Sequence, residues 1–183
     1  KRMKDKHGAD TKIYLAPYRE EDSSGYSSYC YKAKKAAAKI IKKNNLNAKR
    51  VLCVEFHYNA ASVPEARGAH VITPNHKSSL FFHKLITTWA GEQGITLRRT
   101  YNYKDPQNGK RVSLKGINQK SSGRGSKWGL KVGSLGCYTG LWEPMFVDYR
   151  TEVSKRFFDD EIVGRELMVN FWMRQSEFMM GLR

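Results

Sequence analysis

The sequence predicts an α/β fold: a single domain in which a twisted, mostly parallel sheet is flanked by helices. Three observations point there. Segments of strand pattern alternate with segments of helical pattern along the chain. Residues 51–58 open with an unbroken apolar run, Val51-Leu52-Cys53-Val54, as expected of a central strand covered on both faces. The chain has 183 residues, 40% of them hydrophobic, which suffices for one domain with a proper core.

Residues 12–17 read as a short strand closed by Pro17. After the polar turn Asp22-Ser23-Ser24-Gly25, residues Tyr29, Ala33, Ala36, Ala37, Ile40 and Ile41 fall at helical spacing, with lysines around the remaining circumference. Asn44, Asn45 and Asn47 end that helix, because asparagine favours turns. In the strand at 51–58, alternation sets Glu55, His57 and Asn59 on one side. Residues 62–68 read as a loop and 69–73 as another strand. Pro74-Asn75 precedes a second amphipathic helix, with Leu80, His83, Leu85, Ile86 and Trp89 expected to be buried and Gly91 or Gly94 to end it.

From Tyr101 to Lys127 the chain turns rich in Asn, Gly, Lys and Ser. Asp105-Pro106 and Asn108-Gly109 are turn signals, so 101–127 reads as a polar loop or hairpin insertion. A polar segment of that length inside a compact domain is more often functional than filler. Residues 135–146 form the last strand. A long helix follows, with Val153, Phe157, Val163, Leu167, Met168, Phe171 and Trp172 tracing an apolar stripe.

Net charge is +16, from 33 Lys and Arg against 17 Asp and Glu. Such a field draws the protein to polyanions such as nucleic acid, anionic lipid or phosphate-rich wall polymers. The cations are spread along the chain rather than gathered in one arm, and zinc-finger spacing, a phosphate-binding glycine loop and an aromatic RNA-binding segment are all missing. Nucleic-acid binding is therefore expected to be non-specific. No window is long and apolar enough for a membrane span. No charged-then-apolar leader opens the chain, so cytoplasmic synthesis is expected, or secretion if a leader preceded Lys1. Cys30, Cys53 and Cys137 are an odd set that reads as reduced, core-filling thiols. Cys53 and His57 do not make a nucleophile–base pair, since four residues of strand part them by about 13 Å.

Ligands of open α/β sheets bind beyond the carboxyl ends of the strands. His57 and Glu143 both sit near such ends, so a metal-ligand type and a general-base type converge on one sheet edge. The segment His57-Tyr58-Asn59-Ala60-Ala61 resembles the S-I-H-x-N-A strand of the zinc-dependent N-acetylmuramoyl-L-alanine amidases of the amidase-3 type, a family of phage endolysins and bacterial wall enzymes. Arg67-Gly68-Ala69-His70-Val71-Ile72 is similar to the glycine-led strand that follows it there. Arg124-Gly125-Ser126-Lys127 resembles the family's R-G-x-K segment, and Trp142-Glu143-Pro144-Met145-Phe146 its strand-end E-x-x-F. Leu15-Ala16-Pro17-Tyr18-Arg19-Glu20-Glu21-Asp22 is similar to its L-T-R-x-x-D strand exit. These motifs follow the family's order over most of the chain.

The resemblance implies a peptidoglycan hydrolase that cleaves the amide between N-acetylmuramic acid and L-alanine, acting at the bacterial wall. Zinc held by His, Glu and His would lower the pKa of bound water and polarise the carbonyl. The match makes His57 the second histidine ligand and Glu143 the base that moves the proton. Asn59, Arg124 and Lys127 are candidate substrate contacts. Asn59 alternatively holds its own loop, and Arg124 and Lys127 alternatively stand as solvated loop charges. The family's first histidine and its glutamate ligand precede the strand exit, where fourteen residues stand before Leu15. The expectation is an amidase domain lacking its opening strand–helix unit.

Glu55, roughly 6–7 Å behind His57 along the strand, reads as a carboxylate paired with one of the lysines, or else as a partner or surrogate ligand for the site. His76 and His83 are seven apart and not at chelating i, i+4 spacing. With His70, they read as structural or surface residues. The alternatives to hydrolysis are a wall-binding homologue without catalysis and a basic nucleic-acid-binding module.

Overall fold

The structure is a computed structural model that describes residues 24–57, 68–120, 123–144 and 161–179. Its elements are helix α1 (Tyr26–Lys43), a 3-10 turn (Ala48–Arg50), strand β1 (Leu52–Phe56), strand β2 (His70–Thr73), helix α2 (His76–Gln93), strands β3 (Thr100–Lys104), β4 (Arg111–Lys115) and β5 (Ile117–Gln119), helix α3 (Arg124–Gly133), strand β6 (Tyr138–Glu143) and helix α4 (Glu161–Met179). The expected strand at 12–17, the loop at 62–67 and the positions Val153 and Phe157 lie outside the described residues.

The main sheet runs β1-β6-β2-β5. β1 pairs with β6 in parallel, β6 with β2 antiparallel and β2 with β5 in parallel. A mixed α/β domain with a mostly parallel sheet between helices is therefore present. β1 stands at one edge of the described sheet, and Leu52, Cys53 and Val54 are half-buried. β6 holds a central place, and its last five residues are buried.

Alternation along β6 divides the domain's two cores. On one face Trp142 stacks on Phe171 of α4, with ring centroids 3.5 Å apart. Trp89 of α2 meets it edge-on, and Val71, Phe82, Leu85 and Ile86 complete this core. On the other face Cys137, with Cys53 beside it, packs against Cys30 of α1 and Trp128 and Val132 of α3. The Cys137 thiol lies 3.7 Å from that of Cys53, and all three cysteines are free.

Local chemistry sets the ends of the helices. Asn44 and Asn45 close α1, Asn45 in the left-handed region at φ 48°, a conformation asparagine tolerates. Asn75 caps α2 by accepting a bond from the Ser78 N–H. Gly94 ends the helix at φ 65°. The buried stripe of α2 differs in detail from its expected form: Phe82 is fully buried, whereas Leu80 is 42% exposed and His83 is half-buried. Ser79 lies inside that stripe because its hydroxyl is bonded to Thr73 and Gln119, tying α2 to β2 and β5.

Within 101–127, β3 and β4 form an antiparallel hairpin about Asn108-Gly109. After Gly116 the chain joins the main sheet as β5, and Arg124-Gly125-Ser126-Lys127 opens helix α3 rather than lying in a loop. No helix among the described residues is long and apolar enough to cross a membrane.

Close packing at β6 yields one expectation. A Cβ on Gly140 would stand 2.6 Å from the Phe82 ring and 2.7 Å from Val71. Gly140→Ala should therefore cost about 1–3 kcal/mol through overpacking. A lower urea midpoint with unchanged m-value checks this, and an unchanged midpoint would contradict the packing described.

Candidate functional site

The candidate site forms where β1 and β6 end beside the start of β2. Glu55 and Phe56 pair with Leu141 and Trp142, and the His57 N–H donates to the Trp142 carbonyl at 3.0 Å. That register brings His57 level with Glu143. On the other side, His70 pairs directly with Glu143. Pleat alternation turns Glu143 to the face opposite Trp142.

Glu143 is 7% exposed and His70 is 1% exposed. His70 Nε2 lies 2.7 Å from Glu143 Oε2. The approach is close without being aligned as a hydrogen bond, and among the described residues no donor is aligned on that buried oxygen. Tyr101 of the hairpin stacks on His70 at 6.2 Å.

One step back on β1, Glu55 is also buried. Among the described residues its partner is the Tyr26 hydroxyl, which donates to Oε2 at 3.4 Å, rather than the lysine that the charge composition suggested. Burial pushes the Glu55 carboxyl up to about 7, and the nearby Glu143 charge adds to the rise. Bonds from Tyr26 and Tyr29 oppose it. Burial, and then Glu55, push Tyr29 up to about 12, and Tyr26 rises for the same two reasons. The site is thus a buried pair of carboxylates inside a strongly basic protein.

His57 is half-buried just past β1. Asn59 falls outside the described residues. Arg124 begins α3, and Lys127 is exposed on that helix, where its charge acts on Cys30. The structure thus brings His57 and Glu143 to one sheet end and gives Lys127 no ion pair with Glu143. Sequence reasoning missed His70, taken for a structural or surface residue. Its place beside Glu143 follows from the antiparallel β2–β6 pairing, which no spacing in the chain announces. His76, read in the same way, binds the Tyr103 hydroxyl through Nδ1 at 3.0 Å and lies 3.9 Å from Asp105, fastening the hairpin to α2. Among the described residues no three His, Cys, Asp or Glu side chains converge as a metal centre requires.

No protein-family model matches the chain, and no curated protein matches it. Solved structures do. The CwlD amidase from Clostridioides difficile, solved in complex with the GerS lipoprotein, aligns over 93% of this chain and 73% of its own, at 15% identity and a TM-score of 0.53. The N-acetylmuramyl-L-alanine amidase Ami1 from Mycobacterium smegmatis aligns over 82% of this chain and 61% of its own, at 18% identity and a TM-score of 0.51. The chain thus spans under two thirds of the length of Ami1. At these identities the likeness is one of fold: this α/β domain has the architecture of those N-acetylmuramoyl-L-alanine amidases.

The buried Glu55 carries a pH signature. Below about pH 4.5, its ordinary value, the carboxyl is protonated in both folded and unfolded chains, and its burial carries no ionisation cost. Between 4.5 and about 7 the folded chain keeps a proton that the unfolded chain has released, so stability falls as pH rises. The full cost, at most about 3 kcal/mol, is present above that window. Glu55→Gln should flatten this fall in chelator-treated protein followed by urea midpoints from pH 4 to 8. An identical slope in the variant would show that Glu55 is not the group responsible.

Proposed function

We propose that this chain is a peptidoglycan hydrolase that cleaves the amide between N-acetylmuramic acid and L-alanine at the bacterial wall, as phage-type lytic amidases do. The observation that carries this reading is Glu143: a buried carboxylate at the carboxyl end of a sheet strand, with an oxygen on which no described donor is aligned. The amidase fold of the solved neighbours supports it.

In this reading the Glu143 carboxylate takes the proton of the attacking water and returns it to the departing alanine amine. His70, 2.7 Å away, holds that carboxylate in place in a setting with little water. Asn59, Arg124 and Lys127 remain the proposed substrate contacts. Zinc belongs to the proposal with His57 as the ligand that the described residues contribute. Those residues do not make a zinc site by themselves, so the remaining donors would come from elsewhere.

Glu143→Gln should lower the release of free amines from purified peptidoglycan by about 10²–10⁴-fold, and His70→Ala should lower it less. The wild-type chain should retain one zinc after dialysis at neutral pH, and His57→Ala none. Hydrolysis that survives Glu143→Gln would overturn the role given to that residue. A second reading, a wall-binding homologue without catalysis, draws on the ligand set being incomplete among the described residues. Co-sedimentation with peptidoglycan and no amine release, with zinc supplied, would establish it instead.

A further inference from the structure

Between Gly94 and Trp142 the sequence holds ten lysines and arginines against one acidic residue, Asp105. Asp105 does not face outward with them. It is 8% exposed, accepts from the Gln107 N–H and lies against His76. Four of these cations, Lys104, Lys110, Arg111 and Lys115, lie on the β3–β4 hairpin, whose residues alternate between exposed and covered along both strands.

Register sorts the two faces. Thr100 lies opposite Lys115, Asn102 opposite Ser113 and Lys104 opposite Arg111, and all six are exposed. Like charges directly opposite one another weaken a strand pair, so the Lys104–Arg111 juxtaposition is not explained by the stability of the hairpin. Between the charged rows, Ser113 donates to Asn102 at 2.6 Å, which leaves a polar, uncharged centre. Lys115 and Arg111 stand roughly 13 Å apart along β4, long enough to span several links of an extended chain. The aromatic residues are on the inner face: Tyr101 is stacked on His70 and Tyr103 is bonded to His76.

We propose that this outer face binds the phosphate chain of a bacterial wall polymer, a polyol phosphate, through Lys104, Arg111 and Lys115, with the Asn102 amide N–H, whose oxygen is held by Ser113, donating to its oxygens. The face offers charge without a stacking platform. Single-stranded nucleic-acid sites combine the two, so a phosphate polymer without bases is the better fit. The choice of a wall polymer rests on the hydrolase reading, whereas the charged face stands independently of it.

The test is binding of the full chain to purified poly(glycerol phosphate), measured across a salt series, beside oligo(dT) of matched phosphate number. Neutralising Lys104→Gln, Arg111→Gln and Lys115→Gln together should weaken poly(glycerol phosphate) binding about tenfold or more. It should also reduce the slope of log K against log salt by about 2. The triple Lys35→Gln, Lys39→Gln and Lys42→Gln, exposed on α1, removes the same charge and should cost less than about threefold. All six positions are exposed, so both variants are expected to fold, and circular dichroism checks this. Equal losses in the two triples would reduce the effect to net charge and overturn the proposal. So would absence of binding by the wild type, or tighter binding of oligo(dT). None of these readouts depends on hydrolysis, so failure of the amidase reading and failure of this one are separable.

Discussion

Strand β6 has a neighbour on each side and a different core on each face, and the rest of the domain is arranged around those four contacts. Its pairing with β1 and β2 is what brings residues from three distant stretches of chain to one level. Its alternation sends Trp142 into the aromatic core with Trp89 and Phe171 and leaves Glu143 on the opposite face. These are not independent outcomes. A slip of one residue in β6 would exchange the indole and the carboxylate between faces, costing the Trp142–Phe171 stack and the His70–Glu143 contact together. The apolar side of the strand therefore holds the polar side in register. The position of Glu143 is as firm as the packing of its neighbour.

That arrangement also accounts for the unusual electrostatics. A chain with net charge +16 keeps two carboxylates and an imidazole buried at one sheet end. Charges removed from water are costly unless paired. Here the compensation is local: His70 for Glu143, and tyrosine hydroxyls for Glu55. The imperfect compensation of Glu55, whose carboxyl is pushed up to about 7, is what is expected when burial outweighs two neutral donors. Groups held away from their ordinary pKa values gather where proton chemistry occurs, although structural pairs produce the same signature.

Much of the architecture was legible in the chain because local rules and tertiary structure agree in it. The spacing of Tyr29 to Ile41, the asparagines after it, the Asn75 cap and the Gly94 terminus are short-range signals, and each sits in the structure as its chemistry requires. Where the reading failed, the deciding contact was long-range. Leu80 satisfied helical periodicity but faces outward, because the polar contacts of Ser79 rotate the buried stripe toward Phe82. His70 looked idle because a histidine on a strand gains meaning only from the residue across the ladder. Pairing of strands separated by some seventy residues leaves no periodic trace in either one.

The hairpin connects the two halves of this description. Its inner face is fastened to the body by Tyr101 against His70 and by Tyr103 with His76. Its outer face carries the unmatched cations. Because the pleat makes opposite faces of one ribbon adjacent, the surface we assign to a wall phosphate chain lies one strand thickness from the imidazole that meets Glu143. Holding a polymer there would raise the effective concentration of wall material near the strand ends without requiring any contact with the reacting bond. Such tethering costs little in selectivity, since charge contacts position a chain without reading its sequence. On this view the excess of positive charge has two consequences of different kind. Spread over the surface it draws the protein to anionic material at long range, and ordered on the hairpin it fixes where that material is held.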